Sequence, residues 1–189
     1  MGAKTDTREK ILNTAASLFQ KNGYHATGLN EIIRESESPK GSLYYHFPNG
    51  KEELAIAAVT LAGSMIQEQI EEKLARDSDP AQAIKHYILD LADSFEEENP
   101  DNQVSLSLLA LEIAPIRDSL RDACKQVFEL CADTYYRKLI TCGFPEEKAK
   151  EISSIIFVMI EGAMSVSLVR NDPVMLVAVA EQISILLNN

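Results

Sequence analysis

Lys40, Ser42, Tyr44, Tyr45 and His46 place five hydrogen-bond donors in the seven residues Lys40–His46, and Gly41 among them has no side chain. This is the chemistry of binding to phosphate oxygens and base edges. In a helix, Lys40 falls in the first turn, the part of a recognition helix that meets bases in the major groove, and Gly41 lets that helix approach closely. The hydroxyls of Tyr44 and Tyr45 can reach phosphates at the groove edge. Neighbours on a helix point in different directions, so the two tyrosines cannot both serve one core. His46 has two readings: a DNA contact, or a cation at a helix C-terminus. Ser38, which precedes Pro39, reads as a capping side chain. Thr27 reads as an N-cap whose hydroxyl has a second use on phosphate. Lys40 and Lys51 alone are ordinary surface lysines, and only their place in this stretch marks them out.

The elements that must position these residues are helices. A short helix, a tight turn at Ser36-Glu37-Ser38 and a second helix opening at Pro39 give helix-turn-helix spacing. Proline and aspartate mark other starts: Asp79-Pro80 and Asp172-Pro173 place a cap before a first-turn proline. Asp6-Thr7-Arg8-Glu9 and Asn49-Gly50-Lys51-Glu52 read as capping boxes, and Gly143 as a helix end. Apolar stripes such as Leu54, Ala58, Leu61 and Met65, or Ile84, Ile88, Leu91 and Phe95, have helical period. No alternating strand pattern is present. The expected architecture is all-α, with about nine helices near 6–22, 28–36, 39–46, 50–76, 80–98, 104–113, 116–142, 145–171 and 173–187. The acidic cluster Glu96 to Asp101 reads as an exposed turn.

The 189 residues carry a net charge of −11, which at first excludes a nucleic-acid partner. Its distribution reverses that reading. Residues 1–53 hold seven Lys/Arg against seven Asp/Glu, and residues 54–189 hold eleven against twenty-two. A neutral N-terminal unit can approach DNA if its cations share a face. Cys124, Cys131 and Cys142 show no CxxC spacing and suit a reducing compartment. His25, His46 and His86 are too dispersed for a metal site. No apolar run approaches a membrane span, and the start lacks a signal peptide, so the expected location is cytoplasmic with no membrane partner. Phosphate loops, HExxH and nucleophile elbows are absent, which argues against an enzyme; no cofactor is expected.

Thr27 to Lys51, with Leu18-Phe19 and Gly23-Tyr24 upstream, resembles the DNA-binding signature of the TetR family of bacterial transcriptional regulators. Gly41-Ser42-Leu43-Tyr44-Tyr45-His46-Phe47 is its most specific part. Leu109-Ala110-Leu111-Glu112, Leu120-Arg121 and Ile160-Glu161-Gly162-Ala163 resemble the LmrA/YxaF-like branch. Asn102-Gln103-Val104-Ser105 stands where that branch commonly has a Gly-Cys-Pro-like or Ile-Pro-Val-like segment. The resemblance implies a DNA-binding domain over 1–48 and an effector-binding and dimerisation domain over 49–189. It implies a homodimeric repressor on a palindromic double-stranded operator, released by a small lipophilic or aromatic effector. Candidate DNA contacts are Thr27, Ser38, Lys40, Gly41, Ser42, Tyr44, Tyr45, His46 and Lys51. Candidate pocket residues are Tyr87, Phe95, Leu108, Glu112, Phe128, Tyr135 and Met159. Glu112 and Glu161 either touch the ligand or are carboxylates paired with an arginine or facing solvent. The last two helices imply a four-helix dimer bundle, with Ile155, Met159, Gly162, Ala163, Val177, Ala180, Ile183 and Leu187 at the interface.

Overall fold

The computed structural model describes residues 2–95 and 106–188. Among them the regular elements are all helices: α1 (Gly2–Asn22), α2 (Leu29–Glu35), α3 (Lys40–His46), α4 (Lys51–Leu74), α5 (Pro80–Asp93), α6 (Leu106–Ile113), α7 (Asp118–Thr141), α8 (Glu146–Arg170) and α9 (Val174–Asn188). The all-α expectation holds. The expected turn at 96–101, the segment 102–105 and the start of the sixth helix at 104 lie outside the described residues.

Several helix ends follow the predicted chemistry. The Asp79 carboxylate accepts the Ala81 N–H at 3.2 Å ahead of α5, with Pro80 in the first turn. Asp172 accepts the Val174 N–H at 2.9 Å ahead of α9. Gly143, at φ +87°, closes α7, and the Phe144 N–H returns to the Leu139 carbonyl. Other ends differ from expectation. α1 begins at Gly2, ahead of the expected start at 6. α5 stops at Asp93 with Ser94 as its C-cap, short of the expected 98. Ahead of α4 it is Glu53, not Glu52, that accepts the Asn49 N–H, at 3.0 Å. Glu52 is claimed instead by Arg117 at 3.0 Å and by the Ser119 hydroxyl at 2.6 Å.

The chain forms two compact units. The first holds residues 2–63 and 108–127. Its core includes Ile11, Ala15 and Phe19 of α1, Ile32 of α2, Leu43 of α3, Phe47, and Leu54 and Ala58 of α4. Fully burying one such Leu, Ile or Phe side chain is worth about 1.5–3 kcal/mol. α1 contacts both α2 and α3, so the two short helices are held by tertiary packing that their length alone could not replace. In the same unit Gly63 of α4 meets Val127 of α7; a β-carbon there would lie 2.4 Å from a valine methyl.

The second unit holds 64–95, 106–107 and 128–188. α9 packs on α5 and α8 through Leu176, Ala180, Ile183 and Leu187, all buried. Lys85 and Glu181 bridge α5 and α9 at 2.9 Å. Lys138 donates to the carbonyls of Leu74 and Asp77 and so ties the last turn of α4 to α7. Arg137 of α7 also reaches Glu71 of α4, at 2.6 Å.

α8 corrects one expectation. It is long and apolar enough to cross a membrane by length and composition, contrary to the reading that no run approaches that size. The reason is that it is apolar on two faces. Ile152, Ile156, Ile160, Ala163 and Met164 are buried within the chain, while Ile155, Val158, Val166 and Val169 are exposed. The expected interface set therefore divides. Ala163, Ala180, Ile183 and Leu187 are buried within this chain. Ile155, Gly162 and Val177 lie on exposed surface, and Met159 is half-buried.

Candidate nucleic-acid interface

α2 and α3 are joined by a turn whose centre, Glu37, has φ +48°. That backbone conformation costs an ordinary L-residue about 1–2 kcal/mol. Tertiary contacts hold it: Ser36 is fully buried with its hydroxyl on the Ile33 carbonyl, and the Glu37 carboxylate meets Lys10 of α1 at 3.1 Å. The Ser38 hydroxyl donates to the Ser36 carbonyl at 3.1 Å. Pro39 is the N-cap of α3, with no side-chain cap, so Ser38 is a turn-former and not the expected helix cap.

Leu43 is the buried anchor of α3, and Phe47 follows it into the core under the Arg8 guanidinium, 5.2 Å from the ring. The anchor turns the polar residues outward. Lys40 and Gly41 are exposed, Ser42 and His46 are half-buried, and Tyr44 and Tyr45 are 44% and 67% exposed. A β-carbon on Gly41 would meet nothing within 4 Å. Space inside this chain therefore does not demand glycine there. His46 rests edge-on against Tyr45, with ring centroids 5.0 Å apart. Neither tyrosine is a core residue, so two adjacent aromatic phenols stand on the surface of a seven-residue helix.

Two flanking candidates are placed differently. Thr27 is fully buried, and its hydroxyl donates to the carbonyls of Leu18 at 3.1 Å and Gly23 at 2.8 Å. Gly28, not Thr27, is the N-cap of α2, where the Glu31 carboxylate accepts the Gly28 N–H. Thr27 ties the end of α1 to the start of α2. Lys51 is half-buried with its ammonium 4.4 Å from the centre of the Tyr24 ring. Burial lowers the Lys51 pKa, and the Glu112 carboxylate opposes that shift.

Glu112 accepts the backbone N–H of His25 at 2.9 Å, in the first unit, and Leu108 is exposed. The Phe128 and Phe157 rings meet at a tilt, with centroids 5.3 Å apart. In the second unit a cleft of about 310 Å³ is lined by Gln69, Lys73, Tyr87, Asp90, Leu91, Asp93 and Ser94. Of the expected set only Tyr87 borders it. Beside it lies a buried polar cluster. Tyr87 and Tyr135 have ring centroids 6.5 Å apart, and burial raises both phenol pKa values. Burial, with the Glu161 charge second, pushes the Cys131 thiol up to about 12. Glu161 accepts the Ser107 N–H at 3.0 Å, near the start of α6, a partner neither reading of that residue supplied. Among the described residues no group of His, Cys, Asp and Glu is placed to hold a metal ion.

The model for bacterial regulatory proteins of the TetR family matches residues 11–58, which contain all of α2 and α3. The model for the C-terminal domain of LmrA/YxaF-like transcriptional regulators matches residues 80–182. The HTH-type transcriptional regulator YxaF of Bacillus subtilis is 46% identical over 186 residues, covering 98% of this chain and 97% of that protein. The regulator LmrA of the same organism is 43% identical over 163 residues, covering 86% and 87%. In structure, the reduced form of NemR from Escherichia coli superposes with a TM-score of 0.78 at 19% identity, over 94% of this chain and 95% of that one. An outward-facing donor-rich helix thus sits where the family's DNA-binding model matches, and the chain belongs to the TetR family of transcriptional regulators, with a C-terminal domain of the LmrA/YxaF-like kind.

Proposed function

We propose that this regulator is a homodimeric repressor that leaves a palindromic operator when a small lipophilic or aromatic molecule binds its C-terminal part. The observation that carries the DNA reading is the outward face of α3, where Lys40, Gly41, Tyr44 and Tyr45 are exposed around the Leu43 anchor. Two copies related by a twofold axis would set two such helices about 34–36 Å apart, one turn of the duplex. Residues 1–48 read DNA, and residues 49–189 dimerise and bind the effector, in the cytoplasm and without a membrane. The work is recognition, and no catalytic step is assigned.

The exposed row Ile155, Val158, Val166 and Val169 on α8, with Val174, Val177 and Ile185 on α9, supports the dimer. A row of this kind is apolar surface that one subunit leaves in water. The effector must favour the released state by its differential affinity for the two states, commonly about 1–3 kcal/mol of coupling.

The test is a band shift on the DNA upstream of the protein's own gene, followed by a screen of aromatic compounds for loss of the shift. Lys40→Ala should weaken operator binding by about 1–3 kcal/mol if Lys40 reads a base. An equal loss on random DNA makes Lys40 a phosphate contact. Absence of any shift with the upstream DNA or with duplexes selected from random sequence overturns the reading.

A further inference from the structure

The turn between α1 and α2, residues 23–28, carries more of the reading head than its length suggests. The Thr27 hydroxyl spans it to the Gly23 carbonyl, and Gly28 begins α2. The ammonium of Lys51, the first residue of α4, lies on Tyr24 and reaches the His25 carbonyl at 3.5 Å. The turn therefore touches both the entry to α2 and the exit from α3. The turn is also gripped from outside α1 to α4. The Glu112 carboxylate of α6 accepts the His25 backbone N–H at 2.9 Å. Its two oxygens lie so close to Gly23 that a β-carbon there would stand 3.0 Å from each. Gly23 has φ +81°, so its backbone angle calls for glycine, and the Glu112 carboxylate packs tightly against it.

A second carboxylate bond lies nearby in the same unit. Glu52, in the first turn of α4, holds Arg117 and the Ser119 hydroxyl at the α6–α7 corner. The corner thus grips the head at the α1–α2 turn and at the start of α4. What the Glu112 oxygen supplies is an acceptor on one particular N–H, which fixes where that part of the turn lies.

We infer that Glu112 is a positioning residue for operator binding: through the His25 N–H it sets the α1–α2 turn, and with it the placement of α2 and α3 against the first turn of α4. This rests on the reading of α3 as the DNA-contacting helix, but Glu112 itself touches no DNA. The corner that carries it belongs to the matched C-terminal segment, so the state of α6 is felt at the head through this bond.

Three variants of the full chain separate the bond from its alternatives. Glu112→Gln keeps an acceptor oxygen for His25 and removes the charge. Glu112→Asp keeps the charge and shortens the reach by one methylene. Lys40→Ala is the control on the reading helix. Affinity is measured by fluorescence anisotropy on a palindromic duplex selected by the wild-type protein from random sequence, and on a random duplex of equal length. Hydrogen exchange at the His25 amide and thermal melting are followed in parallel.

The expected result is that Glu112→Gln binds the operator within about threefold of wild type, while Glu112→Asp loses about tenfold or more, a scale set by one hydrogen bond. Glu112→Asp should also lose protection at the His25 amide, melt as wild type does, and bind random DNA with a smaller loss. The opposite pattern, with Gln impaired and Asp intact, makes the charge opposite Lys51 the active feature and overturns the inference. So does wild-type operator affinity in both variants, or equal loss in both. If Lys40→Ala alone leaves operator affinity unchanged, the reading of α3 fails, separately from Glu112.

Discussion

Gly63 shows how a single missing side chain sets a helix crossing. A β-carbon there would stand 2.4 and 2.8 Å from the two methyls of Val127, and both residues lie in well-packed interior. Gly63→Ala should therefore destabilise the protein by about 1–3 kcal/mol despite alanine's better helix propensity. Adding Val127→Ala should recover part of the loss, as read by chemical denaturation; simple additivity of the two changes would mean that they do not meet. Cys131 gives a pH prediction. Its folded pKa is raised to about 12 against an ordinary 9.0, so between these values the unfolded chain releases a proton that the folded chain keeps. Stability is fully present below about pH 9 and falls as pH rises toward 12, by up to about 1.4 kcal/mol per unit. Cys131→Ala should lose less stability between pH 8.5 and 10.5 than wild type does; equal losses would place the effect on Tyr87 and Tyr135, whose phenols are raised as well. The donor-rich face of α3 was legible in the sequence because Leu43 is its lone apolar residue between polar neighbours. Thr27 was not, since a hydroxyl before a helix suits a cap or a buried tie equally, and only the fold supplies the carbonyls of Leu18 and Gly23. Neither was Gly63, because the valine it accommodates is 64 positions along the chain.

The helices themselves were largely legible, because proline, aspartate and glycine act through local geometry. Pro80, Asp172 and Gly143 mark the ends they were expected to mark. Prediction failed where two equivalent groups compete for one role. Glu52 and Glu53 are neighbours, and tertiary contacts from Arg117 and Ser119 decide which is free to reach Asn49. It failed again on α8, where apolar residues on two faces leave periodicity with nothing to distinguish core from surface. The resulting prediction separates the faces. Val158, 67% exposed, should tolerate Asp in a folded chain that elutes as a monomer. Ile183, fully buried, should not: an unpaired carboxylate in that core costs several kcal/mol and unfolds the chain. Size exclusion with circular dichroism distinguishes these outcomes, and a folded dimer of Val158→Asp would move the interface off α8.

Over the whole molecule, charge and leverage decide how the head meets DNA. The phosphate contacts expected of α3 come mainly from hydroxyls, and the acidity lies beyond residue 53. Few counterions are then released per head, so the logarithm of affinity should fall only shallowly with that of salt. Tyr44→Phe and Tyr45→Phe should weaken binding to every sequence without changing that slope, as salt titrations of operator and random duplexes would show. Unchanged affinity in both variants would remove the phosphate role. Linkage adds a second expectation: a compound that releases DNA must bind more weakly, by the same factor, when operator is saturating. Calorimetry with and without the duplex reads this, and equal affinities would leave induction without a basis. If such a compound acts by tilting α4, the contacts at the far end of that helix would serve as its pivot. Lys138 holds the Leu74 carbonyl, while Lys51 lies at the opposite end of the helix, 24 residues in all. At 1.5 Å per residue the arm is about 35 Å long, so a tilt of about 5° at the anchored end carries the other by about 3 Å. One base pair occupies about 3.4 Å along the duplex axis. In the proposed release, a rotation of that size would be enough to move a reading helix out of step by nearly one rung of the DNA ladder.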